Sequence, residues 1–305
     1  MLGVAGQKRV PIDFVKDFEL DIPPLEEQHR IADFLDTETA KFDRLLERKR
    51  RLLALLEEKR AAVTHAAVSG QLGESRGARR GPGLEWLPTI PLHWRIAKLS
   101  LVAKLGTGHT PSRSEAKYWE TARDIPWLTT SDIERFRDDR REVLAETKEL
   151  ISSAGLENSS AVLHPAGTVA LSRTASVGFS VIMGCDMATS QDFVTWTCSR
   201  LLEPRFLLLC LRAMRVDLLG RLAMGSTHKT IYMPDIQSLR IPLPTPAEQK
   251  KAVELSKSHM QRIDELSLLI RRQLPVLKEH REALITAAVT GQLDPTSYRT
   301  TALTT

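Results

Sequence analysis

Toward the C-terminal end, apolar residues recur at coiled-coil spacing: Ile263, Leu266, Ile270, Leu277, Leu284 and Ala287, with Gln273 and His280 in the remaining seam positions. The pattern predicts one long amphipathic helix. It begins at TPAEQKKA, where Thr245 can cap, Pro246 suits the first helical position and Glu248 completes a Thr-x-x-Glu capping box. A matching stripe runs through Phe42, Leu45, Leu52, Leu56, Val63 and Ala66, interrupted by Lys49 and Lys59. Gly70 and Gly291 supply the stops. At 1.5 Å per residue, some 45 residues make a rod of roughly 65 Å, which cannot bury its stripe alone. The two are therefore expected to pair antiparallel, Phe42, Leu45, Leu52 and Leu56 against Leu266, Ile270, Leu277 and Leu284, with Pro275 kinking the second.

The two stripes belong to an internal repeat. With Gln28 set on Gln249, an offset of 221 residues carries AAVSGQL, ending at Leu72, onto AAVTGQL, ending at Leu293, with no gap between. Pro23, Glu27, Asp43, Arg50-Arg51, Leu53 and Arg60 fall on Pro244, Glu248, Asp264, Arg271-Arg272, Leu274 and Arg281. Upstream, Phe18, Leu20 and Ile22 alternate as Leu239, Ile241 and Leu243 do, and Lys8 falls on Lys229. The unit reads as a strand, a proline corner and a long helix; in the first copy that strand, about Val10 to Leu20, has no domain of its own to join.

Between the helices lies different material. The glycine- and arginine-rich GESRGARRGPG, residues 73–83, reads as a linker. Beyond it, short β-like runs at Thr168 to Ser172, Phe179 to Met183 and Phe193 to Thr197, and a buried helix over Pro204 to Leu219, predict a compact α/β domain.

Composition narrows the classes. A net charge of +5 and a pI near 9.2 permit a polyanionic partner without demonstrating one. Cys185, Cys198 and Cys210 form no Cys-x-x-Cys pair, which argues against a disulfide framework or zinc ribbon and fits a reducing cytoplasm, the residues being core packing. No apolar run is long enough to span a bilayer, and no methyltransferase-type Asn/Asp-Pro-Pro-Tyr/Phe tetrapeptide occurs.

Three loops carry candidate chemistry. GTGHTPS lacks the endings of a phosphate loop and reads as a turn or a ligand loop; around it His109, Ser112, Arg113 and Lys117 are donors suited to phosphates and base edges. Arg173, Thr174 and Ser176 sit between two candidate strands, and Ser226, Thr227, His228 and Lys229 precede the closing strand. Each loop reads either as a nucleic-acid contact or as a solvated turn. If they act together, His109, Arg113, Arg173, His228 and Lys229 should share one face. His164, beside Pro165, reads as a turn residue. Pro234-Asp235 followed by Glu248-Gln249-Lys250 resembles a nuclease's acidic pair with lysine, but Glu248 already has a role as a cap.

The order of a globular domain, IPLPTPAEQ and a long helix ending AAVTGQL resembles the DNA-specificity subunit of type I restriction-modification systems, as do LEWLPTIPLHWRIAKL, GHTPSRSEAKYW and IPWLTTSDI. The resemblance implies an α+β chain: a remnant of a first target-recognition domain (1–23), a first conserved helix (24–72), a linker (73–83), a target-recognition domain (84–240), a corner and second helix forming an antiparallel coiled coil with the first (241–293), and a disordered tail (294–305). It further implies a non-catalytic, cytoplasmic, DNA-binding subunit. Its partners would be a methyltransferase subunit, a restriction/translocase subunit, and a second copy of the chain or another half-length specificity subunit supplying the second reader. S-adenosylmethionine, ATP and Mg would be held by those partners. The alternatives are a catalytic nuclease, a fused methyltransferase-nuclease fragment, or a silent specificity cassette.

Overall fold

The computed structural model describes residues 10–17, 19, 21–73, 77–119, 123–224 and 229–298. Two helices dominate it, α1 (Leu25–Val68) and, later in the chain, a helix over Pro246–Val289, each of 44 residues and each bounded at the same points of the repeat. Both stops use left-handed glycines, Gly70 at φ 69° and Gly291 at φ 71°, a region glycine enters without a Cβ penalty. At the first, Gly70 N–H bonds to Ala67 O and Gln71 N–H to Ala66 O, which closes the last turn as a Schellman motif. The chain divides into two compact units, residues 1–54 with 267–305, and residues 55–266.

In the first unit Phe42, Leu46, Leu277 and Leu284 form a buried cluster edged by Phe34, Leu45 and Leu274. Lys49 bonds to Gln273 and Asp43 pairs with Arg281 at 3.0 Å, so partner numbers fall as helix numbers rise, the mark of antiparallel pairing. The expected seam is half right. Leu52 and Leu266 are 45% and 51% exposed, whereas Leu46, Ser267 and Ala288 are buried and Leu53 and Leu274 half-buried. The row through Phe42, Leu56, Val63, Ile263, Ile270, Leu277 and Leu284 stands as read; the companion row lies one residue further on than Leu45, Leu52, Leu266 and Ala287. The helix through Pro275 stays unbroken. Two terminal readings also change. Residues 12–16 form a short helix with no buried residue instead of the expected strand. Residues 294–298, read as disordered, form a turn whose Tyr298 ring meets Phe34 edge-on at 5.2 Å.

In the second unit, Arg60 from α1 reaches Asp264 at 2.6 Å. This pair is the image, under the 221-residue offset, of Arg281 with Asp43. The globular part is built on β1 (Arg95–Lys98), β2 (Ala103–Thr107), β3 (Arg123–Leu128), β4 (Val143–Leu144), β5 (Glu149–Ser152), β6 (Val169–Ser172), β7 (Ser180–Met183), β8 (Ala188–Thr189), β9 (Phe193–Cys198), α2 (Pro204–Ala213) and β10 (Arg240–Leu243), with α3 the helix Pro246–Val289. A five-stranded mixed sheet has the order β2-β9-β6-β7-β4; a smaller one runs β8-β3-β5, and β10 closes antiparallel on β1. Period-two alternation divides the larger sheet's residues between two cores. Val169, Leu171, Val194 and Trp196 join Phe206, Leu207 and Cys210 of α2; Ala170, Val181 and Phe193 join Leu128, Ile133, Phe136 and Met187. Within the linker, Arg79–Arg80 pair with Ile90–Pro91 and the Arg79 guanidinium donates to Ser69 O and Thr89 O.

The EQ of the proline corner has a structural meaning here. Glu248 accepts from Thr245 N–H and its hydroxyl, as the capping box requires, and its other oxygen takes His93 Nε2 and Trp94 Nε1. Gln249, fully buried, accepts from Glu203 N–H and donates to Leu201 O and Pro244 O. Both acids of the nuclease reading therefore serve helix starts, Asp235 standing in the first turn of the short helix Met233–Ser238. Burial works to raise the Glu248 pKa, but the hydrogen bonds from His93, Thr245 and Trp94 prevail and bring it from the ordinary 4.5 to about 2. A folded pKa below the unfolded one stabilises the protein above pH 4.5, and that gain is lost as pH falls toward 2. Glu248→Ala should cost about 1–2 kcal/mol at pH 7 after allowing for solvent screening. Urea midpoints should draw together as pH falls below 4.5 and converge with the wild type's only near pH 2; a gap that persists unchanged would assign the cap's effect to the backbone and not to the charge.

Candidate nucleic-acid interface

The register brings several strand ends to one edge. Thr107, at the end of β2, lies opposite Val194, and Ser172, at the end of β6, opposite Phe193, so both strands run out where β9 begins. β8, parallel to β3, delivers residues 189–192 to the same edge. This segment is the hub. His109 N–H bonds to Thr189 O, Thr110 Oγ1 donates to Gln191 Oε1, Arg173 Nε donates to Gln191 O, and Arg173 N–H bonds to Asp192 O. Thr174 adds a short hydrogen bond to Asp192. Ile231 N–H bonds to Arg173 O, which fastens the residues just after Lys229 to the same loop.

The glycines of GTGHTPS serve this approach. A Cβ on Gly108 would stand 2.0 Å from Thr189 Oγ1 and 2.1 Å from its carbonyl, and one on Gly106 2.6 Å from Thr195 Oγ1. Close packing accounts for both without a phosphate, against the Thr189 and Ser190 backbone at Gly108 and against the Thr195 and His164 side chains at Gly106. His164 is a core residue and not a turn residue: it exchanges backbone hydrogen bonds with Met187, and burial depresses its pKa despite a hydrogen bond with Thr107.

Of the sequence candidates, His109, Arg173 and Thr174 meet at the hub, while Ser176 and Lys229 line a common cleft. His109 O also accepts from Trp127 Nε1, which links the hub to a second group. There the Arg113 guanidinium lies 3.7 Å over the Trp119 ring and 5.0 Å from the Trp127 ring, and pairs with Glu149 at 2.7 Å. Trp119 Nε1 donates to Ser112 O, and Ser152 Oγ to Lys117 O. Arg113, already stacked and neutralised, braces the loop. Ser226, Thr227 and His228 lie outside the described residues. Sequence reading missed Gln191 and Asp192, single residues far from the loops they organise, and the contact between Trp119 and Trp127.

A family model for the type I restriction modification DNA specificity domain matches residues 2–56 and 91–272. The chain belongs to that family. Among members of this specificity family, it is 24% identical over 163 residues to the type I restriction enzyme MjaIX specificity subunit of Methanocaldococcus jannaschii, covering 53% of this chain and 37% of that one. It is 26% identical over 196 residues to the type I restriction enzyme EcoprrI specificity subunit of Escherichia coli, covering 62% and 44%. The chain thus spans less than half the length of these two relatives. The fold is shared with a chain of a type I R-M system solved for its complex assembly and conformational transition, at TM-score 0.66 and 22% identity over 89% of this chain and 61% of that. It is also shared with the HsdS subunit from Thermoanaerobacter tengcongensis, at TM-score 0.56 and 22% identity over 96% and 65%. The α+β architecture with two long helices is the fold of these two chains. Among the described residues no helix is long and apolar enough to cross a membrane, and no three His, Cys, Asp or Glu side chains gather as metal ligands.

Proposed function

We propose that the chain is a sequence-specific DNA-binding subunit of a type I restriction-modification complex, which directs a methyltransferase subunit and a restriction/translocase subunit to a target site. It performs no catalysis; S-adenosylmethionine, ATP and Mg belong to the partners. The observation that carries this reading is the hub at residues 189–192, which gathers polar side chains from loops distant in sequence onto one sheet edge. Arg173 suits base readout: its Nε is anchored on Gln191 O, while its terminal nitrogens have no partner among the described residues. Such a fork matches guanine O6 and N7 in the major groove.

Mapping methylated sites in cells with and without the gene tests the reading directly; loss of one motif supports it, and an unchanged methylation pattern overturns it. On the purified chain, Arg173→Ala is expected to cost about 1–3 kcal/mol at one base pair of the cognate site and little at mismatched duplexes, with no rescue by Arg173→Lys. A uniform loss across sequences would make Arg173 a backbone contact.

A further inference from the structure

Residues 175–177, which follow Arg173 and Thr174 of the hub, line a cleft of about 460 Å³ with Arg137, Phe179, Leu219 and Lys229. None of its lining residues is acidic. Arg137, which the sequence offered no reason to single out, donates to Ser176 Oγ at 2.9 Å, and that buried hydroxyl keeps its own proton to donate. The acids nearest Arg137 in the chain are committed elsewhere: Asp138 to Arg140, and Asp139 to Arg215 at 2.7 Å and to Arg212 at 3.3 Å. Among the described residues neither Arg137 nor Lys229 has an acidic partner. Arg215 also stacks over Phe179 at 4.3 Å and donates to Gly178 O, holding the wall in place. Ala175 at φ 53°, a left-handed conformation unusual for a residue with a Cβ, shapes the rim.

We infer that this cleft binds one phosphodiester of a DNA strand, the phosphate held by Arg137, Ser176 and Lys229 and the adjoining deoxyribose resting on Phe179 and Leu219. Three donors without a neutralising acid suit an anion, and the apolar wall suits the sugar better than a free inorganic ion. The inference rests on the DNA-binding reading but concerns a different contact. Arg173 reads sequence, whereas this cleft sets affinity and register.

The test uses the full chain, with Lys229→Ala and the double variant Arg137→Ala/Lys229→Ala, in two arms. In the first, duplex binding is titrated across a salt series. The double variant should weaken cognate and mismatched duplexes alike, by roughly ten- to a hundredfold, and flatten the slope of log K against log salt by about 0.9, the release of one phosphate's counterion. The exposed Lys229→Ala change alone should move both quantities the same way, so misfolding of the double variant cannot mimic the result. In the second arm, amide shifts at Ser176 and Gly178 are followed on adding the dinucleotide dTpdT, with perturbation expected in the parent and not in the double variant. If the parent binds duplex and both variants match it in affinity and slope, the cleft is overturned and the specificity reading survives. Should the parent bind no duplex while dTpdT still perturbs the cleft, the anion site stands and the specificity reading falls. Failure of both arms removes both.

Discussion

Gly108→Ala is expected to destabilise the protein by about 3–5 kcal/mol, beyond the usual cost of overpacking, because the added methyl meets backbone that has nowhere to move. The Cβ would lie 2.1 Å from Thr189 O and 2.3 Å from Ser190 O. Relief requires parting β2 from residues 189–190, and with them the His109 to Thr189 hydrogen bond that seats the hub. Urea denaturation should show a lower midpoint with an unchanged m-value, and DNA binding should fail with it. Gly77→Ala, where an added Cβ meets nothing within 4 Å, serves as the control and should fall within about 0.5 kcal/mol of the wild type. Equal effects at the two positions would mean the loop yields, and that close approach is not what Gly108 supplies.

The second large effect separates two residues the repeat makes equivalent. Gln249→Leu should cost about 3–5 kcal/mol, since it strips partners from Glu203 N–H, Leu201 O and Pro244 O in a site without solvent access. Gln28→Leu should cost about 1 kcal/mol or less, because Gln28 is half-buried and makes one such bond, to Pro23 O, which water replaces. Thermal or urea midpoints of the two variants decide the matter, and equal losses would show that the carboxamide acts on the helix start alone.

Much of this was legible beforehand where a local pattern has one solution. The capping box, the Gly70 and Gly291 stops and the strands around Val169, Ser180 and Phe193 follow from residues within a few positions of each other. The coiled-coil seam was legible in one row and not in the other. Leu45 and Leu46, and Leu52 and Leu53, are adjacent apolar pairs between which spacing cannot choose. In α3 the apolar Leu266 outbids its neighbour Ser267, yet Ser267 is the buried one, and Arg60 and Arg281 enter the seam because Asp264 and Asp43 meet them there. The site was legible as loops and illegible as an arrangement. His109 and Arg173 stand between strands, where binding residues gather, but nothing within ten positions announces that Gln191 joins them or that Arg137 reaches Ser176.

The two ion pairs also bear on how α1 selects a mate. Arg281 is the repeat's counterpart of Arg60, and Asp264 of Asp43, so α1 laid antiparallel on the α1 of another molecule would again set Asp43 against Arg60 at both ends. The charges carry no code that tells self from copy. What favours closure within one chain is the covalent connection through the folded domain between Val68 and Pro246, which makes the pairing intramolecular. Helix exchange between molecules is therefore governed by mass action, and crowding many copies into a small volume shifts the balance where a change of sequence would not.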